Sequence, residues 1–447
     1  MAYTFRGGIH VNEYKNTAGC AIESFVDPKT VSIPLSQHIG APASPIVAVG
    51  EEVKIGQKIA DVASDKLGCP IHASVSGKVT GIIKKTIPSG AVVEHIVIEN
   101  DFKDDYADSV KTPEKSYTDM TADEIIGVIR EAGIAGMGGA SFPTYAKIRS
   151  AVGKVDTIII NCAECEPFIT ANHRLLLEEP DAVIGGVRIL RKALGVKDTF
   201  IAVEDNKQDA IDLMQNRLAG DSEIAVKVMK TKYPQGDERQ LIYALKKVEI
   251  PTGKLPADVG CVLFNAETCA SVYRAFSEGL PSVRRIMTVD GDCVNTPKNV
   301  LVPIGTSVAD IIGFCGGLKK QPTRLISGGP MMGIAQWDKE MPVTKATSAI
   351  LLFSENFGKK KTKSASCIHC GKCINNCPMH IMPMYIAQFS KTGDYLRAEE
   401  YGAMSCVECG SCSYNCPGGI EIVQYIRVAK AAIRTEKARL AALANTK

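Results

Sequence analysis

No apolar run in this chain approaches the ~18 residues that a membrane-spanning helix requires, so any work at a membrane is expected to go through partners. The opening Met1-Ala2-Tyr3-Thr4-Phe5-Arg6 lacks the apolar core of a secretory signal. Charge of one sign is also missing. A formal net charge of +3 gives no electrostatic reason to expect a nucleic acid. The one concentrated basic run, Lys359-Lys360-Lys361-Thr362-Lys363, reads as a solvated linker. A disulfide framework is excluded as well, because such frameworks belong to short secreted chains and this one is 447 residues long. That length, with 45% hydrophobic and 23% charged residues, is ordinary for a globular protein of three or four domains.

What is present in excess is cysteine, 16 residues, and half of them fall in one array. It reads Cys367-x2-Cys370-x2-Cys373-x3-Cys377-Pro378 and then Cys406-x2-Cys409-x2-Cys412-x3-Cys416-Pro417. Two copies of this spacing point to two [4Fe–4S] clusters, and in such folds the fourth Cys of each run ligates the other cluster. The expected sets are therefore Cys367, Cys370, Cys373 and Cys416 for one cluster, and Cys377, Cys406, Cys409 and Cys412 for the other. Zinc sites use two ligand pairs rather than four closely spaced Cys followed by Pro. Clusters of this kind carry single electrons and imply a reducing, cytoplasmic setting. The remaining cysteines read as small buried side chains. Cys162-x2-Cys165 has no thioredoxin-like context that would make it a redox pair.

Residues up to about 110 alternate short Val/Ile-rich runs with Gly, Pro and Ser, an all-β pattern. The pattern from Val49 to Ala60, followed by Ala73 to Val79, resembles biotinyl and lipoyl carrier domains. Asp65-Lys66 stands where those domains carry the modified lysine. The flank Leu67-Gly68-Cys69-Pro70 departs from theirs, and an unmodified docking barrel is the reading adopted.

From Tyr117 the pattern becomes α/β. Ala122 to Ala132 predicts an amphipathic helix, which leads into a glycine-rich loop from Gly133 to Lys147. Glycines this dense let backbone amides approach a phosphate or a flavin ring. Val155 to Ile160 predicts a buried strand ending at Asn161-Cys162-Ala163-Glu164-Cys165-Glu166-Pro167, where open α/β sheets place their ligands. A helix from Asp181 to Ala193 and a strand from Phe200 to Val203 follow. Tyr233-Pro234-Gln235-Gly236-Asp237-Glu238 comes next, and then Val262 to Thr268. Beyond Pro281, a strand at Arg285 to Asp290, a capped helix from Thr306 to Phe314 and Ser327-Gly328-Gly329-Pro330 form a small α+β module. Ala346 to Lys363 reads as a linker, and Met384 to Tyr401 and Ile422 to Leu443 as helices.

The Gly136–Lys147 loop, the Asn161–Pro167 turn, Gly236-Asp237-Glu238 and Asn265/Thr268 occur in the same order as in the flavin-bearing, NADH-oxidising subunit of respiratory complex I. With the N-terminal barrel, the opening Phe5-Arg6-Gly7-Gly8-Ile9-His10, the run Gln37 to Ala43 and the eight-Cys tail, the whole chain resembles the RnfC family of Rnf complexes. The resemblance implies a multidomain α/β fold in four parts. These are a barrel-sandwich hybrid at 1–115, a Rossmann-like FMN/NAD(H) domain at 116–280, a small β-grasp domain at 281–345 and a helical two-cluster domain at 346–447. It implies noncovalent FMN held by Gly136, Gly138, Lys147, Asn161, Glu164, Tyr233, Gly236, Asp237, Asn265 and Thr268. Glu166 and Glu238 would lie near the nicotinamide nucleotide. Ala163, Phe264 and Met137 depart from the complex I pattern. The implied role is electron transfer between NAD(H), FMN and the two clusters. Integral membrane and ferredoxin-like Rnf subunits are the implied partners and would couple it to Na+ or H+ translocation at the cytoplasmic side of the cell membrane. A soluble module feeding a cytosolic reductase would share the same motifs.

Overall fold

The computed structural model describes residues 2–25, 27–358 and 366–445. The basic run at 359–363 lies outside them. The barrel is made of two small antiparallel sheets. One orders Thr30–Pro34, Val92–Asn100, Gly77–Thr86 and Glu52–Val53, and the other Ser44–Pro45, Lys58–Asp61 and Ile71–His72. Their facing apolar residues, among them Val31, Ile33, Ile59, Ile71, Ile96 and Ile98, form one core. Lys66 is exposed in the loop between Lys58–Asp61 and Ile71–His72.

Residues 2–25 do not join these two sheets, contrary to the simple reading of one barrel up to residue 110. They form a strap across the rest of the molecule. Tyr3 donates its amide to Val228 O at 2.8 Å, Ile9 and Tyr233 exchange two backbone hydrogen bonds, and Gly8 N donates to Asn376 O at 3.0 Å. The strap ends as the strand Ile22–Ser24, paired with Lys298–Pro303. Partners more than two hundred residues away leave no local periodicity, which is why the strap escapes a sequence reading.

The second domain is a four-stranded parallel sheet in the order Ile224–Met229, Asp198–Glu204, Thr157–Cys162, Cys261–Asn265. The three residues Ile158, Ile159 and Ile160 are fully buried, as expected for a strand covered on both faces. The chain first builds outward from Thr157–Cys162 and then returns to its other side. That reversal is a topological switch point, where open α/β sheets bind ligands. Asn161 and Asn265 stand opposite each other there. The helices Pro180–Leu194 and Ala266–Ser277 cross closely because of Gly185-Gly186. A Cβ on Gly186 would stand 1.8 Å from Cys269 O.

The third domain is a six-stranded mixed sheet that contains Arg284–Asp290 and, beside it, Ala349–Phe353. The linker expected over 346–363 is thus corrected. Ala349–Phe353 is buried at every residue and lies inside the sheet. The helix Val308–Phe314 is capped by Ser307, whose Oγ accepts from Asp310 N at 3.0 Å.

The last domain is helical. The single helix predicted from Met384 to Tyr401 is two, Pro383–Lys391 and Tyr395–Glu400, divided where Gly393 takes φ 77°. The helix Ile422–Asn445 packs on them through Ile386, Ile422, Ile426 and Ile433.

Candidate functional site: a flavin fold beside two cysteine cavities

At the switch point the Asn161 amide donates to Gly236 O at 2.7 Å, and its oxygen accepts from Ala163 N at 3.2 Å. Asn265 caps the helix Ala266–Ser277, accepting from Glu267 N at 3.0 Å. Gly138 lies over it, where a Cβ would be 3.1 Å from Asn265 Nδ2. Thr268 Oγ1 accepts from Met137 N at 3.0 Å, and Arg285 donates to Met137 O at 2.8 Å. These contacts hold the glycine-rich loop against the sheet edge. Met137 itself points into the core, with Ser271 donating to its sulfur at 3.3 Å. Lys147 donates to Leu263 O at 3.0 Å and lies near the Phe264 ring. Burial pulls its ammonium below the ordinary lysine range, against the pull of Glu238.

Gly136, Gly138, Lys147, Asn161, Gly236, Asn265 and Thr268 therefore gather at one edge. Asp237 caps the helix Glu238–Lys246, accepting from Arg239 N and Gln240 N, and burial pushes its carboxyl up to about 6. Glu238 opens that helix. Two expected residues direct their polar groups elsewhere. The Glu164 carboxylate accepts from Asn172 N and His173 N, at 2.7 and 3.1 Å. The Tyr233 hydroxyl donates to Cys409 O at 2.8 Å. Glu166 accepts from Met331 N and Met332 N, both at 3.0 Å, in the loop after Arg324–Ser327. Burial pushes its carboxyl up to about 7, although both amides favour the charged form.

The eight array cysteines line two cavities. One is walled by Cys367, Cys370, Cys373 and Cys416, the other by Cys377, Cys406, Cys409 and Cys412. The sequence repeat becomes a structural one. Gly371 and Gly410 take φ 72° and 78° at the starts of the short helices Lys372–Asn375 and Ser411–Tyr414. His369 N donates to Cys367 Sγ at 3.4 Å and Glu408 N to Cys406 Sγ at 3.3 Å. Amides aimed at sulfur suit thiolates bound to metal. Among the described residues no three His, Cys, Asp or Glu side chains converge to hold a single ion. The thiols instead stand around the cavity walls, as a multi-iron cluster requires. Burial pushes the Cys406 thiol up to about 12, so iron rather than water would keep it ionised.

The two cavities differ in position. The Cys377 set is pressed on the parallel-sheet domain, through Tyr233 to Cys409 O and Gln240 to Pro378 O at 3.3 Å. The other opens outward, with Cys370 exposed and Ile368 68% exposed.

Known proteins agree with this architecture. Residues 3–103 match the RnfC barrel sandwich hybrid domain and 129–274 the Nuo51 FMN-binding domain. Residues 286–335 match the SLBB domain and 366–420 the 4Fe-4S dicluster domain. The chain is 45% identical to a Clostridium ljungdahlii protein named as the C subunit of a proton-translocating ferredoxin:NAD(+) oxidoreductase complex, over 98% of this chain and 97% of that one. It is 43% identical to the Na(+)-translocating counterpart from Acetobacterium woodii, over 97% and 98% of the two chains. The chain belongs to the RnfC family. Among solved structures, an NAD+-reducing [NiFe]-hydrogenase shares the fold at 17% identity and a TM-score of 0.50, covering 71% of this chain and 63% of that one.

Three features of this RnfC family member were not visible beforehand. Arg285, buried in the strand Arg284–Asp290, pairs with buried Glu267 and donates to Thr347 O at 2.7 Å as well as to Met137 O. A charge inside an apolar strand was the available signal. Lys15 and Lys207 hold the carbonyls of the 163–169 turn, and neither had a motif around it. Met331 and Met332 reach Glu166 from a different domain.

Proposed function

We propose that the chain is the NAD(H)-handling electron-transfer subunit of a membrane-bound Rnf complex, working between NAD(H), FMN and two [4Fe–4S] clusters. Other subunits couple the exchange between ferredoxin and NAD+ to Na+ or H+ movement. The carrying observation is the juxtaposition of an FMN-type switch point with two four-cysteine cavities, the inner one hydrogen-bonded to the flavin fold through Tyr233. The residues proposed for FMN are Gly136, Gly138, Lys147, Asn161, Tyr233, Gly236, Asp237, Asn265 and Thr268, with Glu164 contributing through its backbone. Glu166 and Glu238 are assigned to the nicotinamide nucleotide. The proposed cluster sets are those that line the two cavities. FMN, when bound, supplies the exchange between two-electron hydride chemistry and one-electron carriers.

The protein's own part is to hold and shield. Asn161 and Asn265 present amide groups at the sheet edge, and the Gly136–Gly138 backbone allows close approach of a planar ring. Lys147 would supply a cation to the phosphate or a carbonyl of the bound flavin. The four regions at 1–115, 116–280, 281–345 and 346–447 divide the work, with Ala349–Phe353 completing the third. Among the described residues no helix is long and apolar enough to cross a membrane. Attachment at the cytoplasmic face is therefore assigned to integral membrane and ferredoxin-like partner subunits.

The test is anaerobic purification from the native source. Membrane subunits should co-purify, about eight iron atoms should be bound per chain, and FMN should be released on denaturation. NADH should bleach the visible spectrum. A soluble reductase in place of membrane subunits would favour a cytosolic module, and absence of both flavin and NADH bleaching would defeat the dehydrogenase reading.

A further inference from the structure

The turn that follows the strand Thr157–Cys162 is held from behind by two lysines that no motif predicts. Lys15, carried in by the N-terminal strap, donates to three backbone carbonyls: Glu164 O at 2.8 Å, Glu166 O at 2.8 Å and Ile169 O at 2.7 Å. Lys207 donates to Ala163 O at 2.8 Å and pairs with the buried Glu204 at 3.0 Å. Four carbonyls of one short turn thus face two ammonium groups. Glu164 sits at φ 52°, the left-handed conformation that lets neighbouring amides face one side. Among the described residues the amides of Glu164, Cys165 and Glu166 find no protein acceptor. With the carbonyls taken up on the far side, these amides remain for a ligand.

The strap places Lys15 firmly. Tyr14 stacks on Phe168 with ring centroids 4.9 Å apart, and Phe168 N donates to Glu13 O at 2.9 Å. Lys15 is half-buried as a residue, and its ammonium is enclosed by the three carbonyls of the turn. A lysine that makes three backbone hydrogen bonds uses its whole donor capacity, so it does not serve a substrate directly.

We infer that Lys15 is a positioning residue of the flavin–nucleotide site, fixing the 163–169 turn with its amides toward the ligand and placing a positive charge behind it. This rests on the proposed function, since it takes that turn to be a wall of the site. A fixed positive charge favours the electron-rich, reduced form of a nearby flavin. Removing it lowers the flavin midpoint potential, and loosening the turn weakens nucleotide binding.

The experiment uses the full chain with FMN and both clusters, as wild type, Lys15→Gln and Lys15→Met. Potentials come from mediated redox titration, which needs no NADH, and steady-state kinetics with NADH follow. Both variants should show a lowered FMN potential. In Lys15→Met, which loses charge and donors together, KM for NADH should rise by about tenfold, as expected for lost charge-assisted hydrogen bonds, with a smaller change in kcat. Lys15→Gln keeps two donors, so its KM should move less than its potential. Loss of FMN from Lys15→Gln with clusters intact would also support the inference. An unchanged potential and KM in Lys15→Gln would overturn it, as would loss of clusters and fold together. If wild type is not reduced by NADH yet its flavin potential still falls on substitution, the dehydrogenase reading fails and the role of Lys15 stands.

Discussion

The two cysteine loops have the same spacing, the same left-handed glycine and the same amide-to-sulfur hydrogen bond, yet they sit in opposite surroundings. The loop Cys406–Cys412 is tied down. Lys430 donates to Cys406 O at 2.8 Å and pairs with Glu408 at 2.5 Å, Arg427 joins the same carboxylate, and Tyr233 holds Cys409 O. The loop Cys367–Cys373 has none of these ties among the described residues, and it presents Ile368 and Cys370 to solvent. Identical local sequence rules therefore make two cysteine sites in different surroundings. The fixed one is held against the flavin fold through Tyr233. The open one leaves Ile368 and Cys370 exposed.

The sharpest way to break the comparison is to exchange the crossed ligands. Cys377→Ala should abolish the cluster of the second run and Cys416→Ala that of the first, each lowering iron from about eight to about four atoms. Electron paramagnetic resonance on each variant identifies the survivor, and loss of the cluster of the same run would refute the crossed sets. Next in size is Lys430→Met, which leaves Cys406 O without its donor and Glu408 with Arg427 alone. It should cost about 2 kcal/mol of stability by chemical denaturation, whereas Lys372→Met in the open loop should cost under about 0.5 kcal/mol.

A smaller effect concerns pH at the contact between Glu166 and the Met331 loop, which also packs on Gly410 of the fixed loop. Burial places the Glu166 carboxyl at about 7, above its ordinary value of 4.5. The folded state thus holds this proton more tightly than the unfolded chain. Its contribution to stability is complete below pH 4.5 and fades as pH rises through 7. Glu166→Gln should flatten thermal stability across that window, and a curve that keeps its slope would assign the titration to another group. The smallest effect is expected from Ile368→Ser. Transfer to the native partner should weaken a few-fold, roughly the loss of one apolar contact, while reduction of a small artificial acceptor by NADH should not change.

How much of this was legible beforehand follows from the range of the interactions. The cysteine spacings are local patterns whose geometry is dictated over a few residues and were readable, whereas Asn161 and Asn265 were singled out by the family resemblance, and the structure places them opposite each other at the strand ends. The strand Ala349–Phe353 was read as linker because an apolar run of five has no period of its own, and only pairing with Arg284–Asp290 on one side and Arg324–Ser327 on the other makes it a strand. Gly393 was read through because one glycine inside a helical pattern does not announce a break. Lys15 acts across about 150 residues, and nothing near it in sequence reports its three carbonyl partners.

Gly7 and Gly8 carry a last consequence. Their backbone lies so close to the end of the first cysteine run that a Cβ on Gly7 would stand 2.6 Å from Cys377 O. A ribosome adding about 5–20 residues per second completes Cys377 roughly 20–70 s after Gly7. Through that interval the beginning of the chain has no seat against its final neighbour. The strap's seat against Cys377 and Asn376 therefore forms only after most of the chain has been made.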